Sequence, residues 1–126
     1  MMNYRNDAVY MSLVKIIEAA GITIQYGKVH DDSIDGEIWA RADSQSRVIL
    51  MPDDGAAFPD AETACIILGH EMAHILTGLE SIDYNPPIRQ INERTCDLIG
   101  AYLYRLADMT AETEAENIFR NQSNQD

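Results

Sequence analysis

Along the first part of the chain, the apolar residues Val9, Leu13, Ile16, Ile17 and Ala20 recur at spacings of three and four. That period places them on one face of a helix, which polar Asn6 or Asp7 opens and Gly21 stops. The pattern then changes to alternation. The segment 22–26 alternates with β-branched residues, the segments 36–41 and 46–51 follow, and Asp43-Ser-Gln-Ser46 has turn chemistry between the last two. Three short strands are predicted, paired antiparallel.

Pro52-Asp-Asp-Gly55 and Phe58-Pro-Asp60 interrupt the pattern, and a second helix is expected from about Ala61 to Leu76, with Asp60 as its cap and Gly78 as its stop. Cys65, Leu68, Met72, Ile75 and Leu76 gather on one side of it. Asn85-Pro-Pro87 opens a third helix, with Asn85 capping and Pro86 at the first helical position, running to about Ala107. Its bulky residues Ile88, Ile91, Leu98, Ile99, Tyr102 and Leu106 form a band that reads as the buried face. Glu93, Asp97, Gly100 and Tyr104 line the other side, where Gly100 allows another backbone to approach closely. Thr110 is placed to cap a weaker last helix containing Ile118 and Phe119, before a polar end at 121–126. The whole reads as an α+β fold with three to four helices. It forms one domain over 1–126, with its core at about 8–107 and a weak C-terminal helix and frayed tail at 108–126.

The face of the second helix opposite its apolar side carries His70-Glu-Met-Ala-His74. At 3.6 residues per turn, His70 and His74 stand one above the other, so both imidazoles can reach one ion, and Glu71 lies beside them. A hydrolytic zinc site commonly takes three protein ligands and leaves room for water. Glu93, nineteen residues after His74, is the best third ligand, and Asp97, one turn later, can orient a ligand histidine. Cys96, also one turn from Glu93, is an alternative ligand. Glu71 is the expected general base. For the oxyanion donor, Tyr84 is the first choice, followed by His30 and Tyr104.

Net charge narrows the partners. With 21 acidic against 9 basic residues and a formal charge of −12, a nucleic-acid backbone would be repelled, whereas basic peptides or proteins would be attracted. No run approaches the 18 or so apolar residues a membrane span needs, and no basic, then apolar leader opens the sequence. A cytoplasmic protein without direct nucleic-acid or membrane contact is expected, with Cys65 and Cys96 as free thiols. Asp31-Asp-Ser-Ile-Asp-Gly36 begins like a calcium loop, but Ala42 stands where the bidentate glutamate belongs, so it reads as a solvated acidic turn. Trp39 is read as a core residue, with a place in a cleft wall as the alternative.

Taken together, the motifs resemble those of the gluzincin metallopeptidases. Asn92-Glu-Arg-Thr-Cys-Asp97 is similar to the Asn-Glu-x-x-x-Asp segment of thermolysin-like enzymes. In those enzymes the glutamate is the third zinc ligand and the aspartate supports a histidine. In size and element order the region 8–107 resembles the ImmA/IrrE family of compact metallopeptidases, although Glu93-Arg-Thr-Cys-Asp97 stands where that family has Glu-x-x-Ala-Asn. Leu98-Ile-Gly-Ala-Tyr-Leu103 is also similar to the metallopeptidase domain of ArdC-type antirestriction proteins. The resemblance implies a zincin-like fold, in which a small sheet packs on an active-site helix and a glutamate-bearing helix. It also implies a Zn2+-dependent endopeptidase whose substrate is a protein such as a helix-turn-helix repressor of a phage or mobile element. The competing expectation is an acidic, non-catalytic interaction or antirestriction-type protein with a structural zinc.

Overall fold

A computed structural model describes residues 3–28, 40–78 and 86–123. A short 3-10 turn, Tyr4–Asn6, precedes α1 (Ala8–Ala19), β1 (Thr23–Gly27), β2 (Arg41–Asp43), β3 (Val48–Pro52), α2 (Ala61–Thr77) and α3 (Pro86–Ser123). The coarse class is therefore α+β, with three helices and a small sheet among the described residues.

The sheet is mixed, not antiparallel as the alternating segments suggested. Its order is β1-β3-β2, with β1 parallel to β3 and β2 antiparallel to it. The physical reason lies in the connections. Only β2 and β3 are joined by a tight turn, in which Asp43 Oδ1 accepts from Gln45 N at 3.0 Å. The link between β1 and β2 is much too long for a hairpin, so β1 is free to take the other edge of β3 in the parallel sense. The tight turn is fixed from outside as well. Arg47 adopts a left-handed backbone (φ 55°) and its guanidinium donates to Ala20 O at 2.7 Å, closing the C-terminal end of α1.

As the central strand, β3 turns Ile49 and Met51 fully into the core, where they meet Tyr10, Leu13 and Ile17 of α1 and Cys65 and Leu68 of α2. Tyr4 seals one end, edge-on to both Tyr10 and Phe58 at 5.0 and 4.9 Å between ring centres. Cys65 and Cys96 are both buried free thiols. On α2 the expected apolar face is buried at Cys65, Leu68, Met72 and Ile75, but Leu76 is 49% exposed.

Two expectations about α3 are corrected. First, it does not end near Ala107 and restart at Thr110 but runs unbroken from Pro86 to Ser123. Thr110 does not cap: its hydroxyl donates back to Leu106 O at 2.8 Å, as that of Thr113 does to Met109 O at 3.0 Å. Second, the buried face is not the bulky band. Ile91, Leu98 and Tyr102 are 64%, 69% and 66% exposed, and Ile88 and Leu106 are exposed too, with Ile99 partly buried. Asn92, Cys96, Gly100, Leu103 and Ala107 face inward instead. Small residues win that face because α3 lies backbone to backbone against α2. A Cβ placed on Gly69 would come within 2.8 Å of Gly100 O, and one on Gly100 within 2.7 Å of His70 N.

Among the described residues no helix is long and apolar enough to cross a membrane. The Asp31–Gly36 turn and Trp39 lie outside the described residues, as do Tyr84, His30 and the Asn85 cap.

Candidate metal centre

The N-terminus of α2 is fixed by Asp60, whose Oδ1 accepts from Thr63 N at 2.7 Å and from the Thr63 hydroxyl at 2.6 Å. Gly78, at φ 70°, ends the helix in a left-handed turn just after the second histidine. Between these ends, His70 and His74 project from one face toward α3, as their four-residue separation requires.

Their Nε2 atoms lie 3.0 Å apart, with ring centres 4.7 Å apart at 79°. Glu93 closes the triangle: Oε2 is 3.1 Å from His70 Nε2 and Oε1 is 3.2 Å from His74 Nε2. Four ligands placed tetrahedrally around zinc at its usual bond lengths would stand about 3.3 Å from one another. The observed separations fit such an ion. His70, His74 and Glu93 thus form a group that can hold a metal ion, the only such group of three or more among the described residues.

The outer ring nitrogens explain why a cation fits. His70 Nδ1 lies 2.8 Å from Asp97 Oδ1, and His74 Nδ1 lies 3.4 Å from Cys96 Sγ. The first contact is close but poorly aligned, since Nδ1 has no hydrogen bond of good geometry. A carboxylate at that distance nevertheless favours a proton on Nδ1, which leaves the Nε2 lone pair pointing inward. With both rings in that tautomer, two nitrogens and a carboxylate converge without a donor among them. Glu93 Oε1 is itself buried without a hydrogen-bond partner. A buried acceptor in that position calls for a positive charge.

The two histidines are held differently. His74 is buried, and the neutral side chain against it, Cys96, is fully so. Burial pushes the Cys96 thiol above its ordinary pKa, and the carboxylates of Glu93, Glu71 and Asp97 add to the shift, opposing a hydrogen bond with Thr77 that lowers it. His70 faces the cleft, backed by Asp97, which is 69% exposed. Cys96 therefore sits at the ring nitrogen remote from the triangle. It lies beside His74 and outside the group of His70, His74 and Glu93 that can hold an ion.

Glu71 lines an open cleft of about 320 Å3 with Ala40, Ile66, Ile67, His70, Glu93 and Asp97. Burial raises its pKa, with the nearby Glu93 adding to the shift and the two histidines opposing it.

Tyr104 does not belong to this site. It shares a helix face with Glu93 but stands eleven residues further on, about 16 Å along the axis. Loss of solvation raises its pKa most, and the groups that add to the shift are Glu62, Asp108, Cys65 and Asp7 rather than those of the triangle. Sequence reasoning missed the roles of Gly69, Cys96 and the Ile66–Ile67 wall. Of these, only the pairing of Gly69 beside His70 with Gly100 left a visible trace, in that each glycine interrupts an otherwise regular helix.

No protein-family model matches the chain, no curated protein matches it, and no solved structure matches it.

Proposed function

We propose that the chain is a zinc-dependent endopeptidase of gluzincin type, with His70, His74 and Glu93 as ligands and Glu71 as general base. The observation that supports this most is the convergence of three acceptor groups within 3.2 Å of each other, beside the half-buried Glu71 carboxyl and open to a cleft. A bound zinc ion would supply Lewis acidity, polarising a peptide carbonyl and acidifying water at the same point.

The chain's own residues do the rest. Glu71 takes a proton from the attacking water and delivers it to the departing amine, and its raised pKa suits a group that must both accept and release. Asp97 holds the His70 ring, and Cys96 packs against the outer edge of the His74 ring. Among the described residues β2 is an edge strand, and it follows directly on Ala40 of the cleft wall, where an extended peptide can add to its main chain. The substrate on this reading is a protein or peptide in the cytoplasm, of basic rather than acidic character given the net charge of −12. A helix-turn-helix repressor fits that description, as the resemblance to the ImmA/IrrE family implies.

Glu71→Gln tests this reading. The variant is expected to keep stoichiometric zinc and the fold while losing cleavage of any protein that shortens when the wild type is expressed. If Glu71→Gln retains full activity in the host, the protein acts by binding, as an acidic interaction protein with a structural zinc would, and the peptidase reading fails.

A further inference from the structure

The bulky band of α3 is exposed, and it has the spacing of a seam. Ile91, Leu98, Tyr102 and Met109 recur at intervals of seven, four and seven, and all are at least 64% exposed. In a heptad these are core positions, two of each kind, with Thr95 and Arg105 filling the layer between. An ordinary surface helix seldom presents so many large apolar side chains in one line. The same helix is packed on its other side by α1 and α2, so the seam is not needed by the described core.

The seam is complementary to itself when reversed. With Leu98 of one copy facing Tyr102 of another in antiparallel pairing, the same register sets Ile91 against Met109. It also sets the flanking Arg94 against Asp108 of the second copy. Each contact occurs twice because the pairing is twofold. In-register parallel pairing would place Arg94 against Ile99 of the second copy and lose this match. This charge match, made twice across the twofold axis, favours the reversed direction in a pair of copies. We propose that the protein self-associates through α3 as an antiparallel pair with Leu98 and Tyr102 at its centre. Glu93 and Asp97 project about 160° and about 120° round the helix from the seam, so the pair leaves both clefts open.

The test is sedimentation equilibrium of the whole chain from low micromolar to several hundred micromolar concentration. The wild type is expected to pass reversibly from monomer to dimer. The double variant Leu98→Glu/Tyr102→Glu is expected to stay monomeric, with unchanged circular dichroism and zinc content. Arg94→Asp alone should weaken association roughly ten-fold by replacing two attractions with two repulsions. Adding Asp108→Arg should restore it. A wild type that remains monomeric throughout, or a dimer indifferent to Leu98→Glu/Tyr102→Glu, overturns the proposal. So does a charge exchange that fails to rescue. Because these side chains lie away from the metal ligands, none of these outcomes bears on the peptidase reading.

Discussion

Gly69 and Gly100 lie in direct backbone contact where α2 crosses α3, so that a Cβ on Gly100 would stand 2.7 Å from His70 N. This crossing sets the distance between the histidine helix and the glutamate helix. His70 follows Gly69 directly, and Glu93 lies two turns before Gly100, so the reach of the Glu93 carboxylate to both Nε2 atoms depends on the helices touching here. Neither glycine has an unusual backbone angle; what each supplies is absence of bulk.

Gly100→Ala separates this role from helix propensity by its sign. In an unconstrained helix the change stabilises by up to about 1 kcal/mol. Here it forces α2 and α3 apart, and a net destabilisation of about 1–3 kcal/mol is expected from overpacking. Zinc affinity should fall along with the melting temperature. A stabilised variant with unchanged affinity would show that the crossing does not set the site.

Asp60 gives the α2 terminus a definite pH dependence. Hydrogen bonds from the Thr63 hydroxyl and from the Thr63 main-chain N–H hold its carboxyl below the ordinary value of 3.8. Because the folded value is depressed, the stabilisation is fully present above the unfolded value and disappears as pH falls through the folded one. The melting temperature of Asp60→Ala should therefore lie below that of the wild type at neutral pH. The gap should close under acid conditions below that range. An equal gap at both pH values would mean that the cap acts through packing rather than through its charge.

Much of this was legible from local chemistry. The boundaries of α1, α2 and β3 follow from period, cap and stop residues, and the triangle of His70, His74 and Glu93 follows from helical spacing plus one carboxylate at the right distance along the chain. What misled was the assumption that large apolar residues mark the inner face. On α3 the partner helix comes so close that only Cys96, Gly100 and Ala107, with Leu103 and Asn92 at the margins, fit between. The parallel placement of β1 was hidden because pairing sense depends on a long connection and not on strand sequence. Thr110 has the chemistry of a cap, but a threonine hydroxyl can equally satisfy the preceding turn.

The inversion of faces on α3 can be measured with two leucines five residues apart. Leu103 is 7% exposed and belongs to the core cluster, so Leu103→Ala should cost about 2–4 kcal/mol in denaturant unfolding. Leu98 is 69% exposed, and Leu98→Ala at low protein concentration should change stability by less than about 0.5 kcal/mol. The reverse order would restore the bulky band as the buried face.

Around the candidate metal centre, a graded series distinguishes ligand from support. Glu93→Ala removes a proposed ligand and leaves two histidines, so on this reading stoichiometric zinc should be lost on gel filtration. Asp97→Asn keeps the shape but removes the charge 2.8 Å from His70 Nδ1, which should weaken zinc binding roughly 10-fold while leaving the stoichiometry at saturation unchanged. Cys96→Ala removes the thiol at the outer edge of the His74 ring, and it should weaken binding by less than Asp97→Asn because a neutral thiol at 3.4 Å orients the ring more than it polarises it. Competition with a chromogenic chelator gives all three values in one assay. Loss of stoichiometric zinc in Cys96→Ala, with retention in Glu93→Ala, would exchange their roles and place the ion on the other side of the His74 ring.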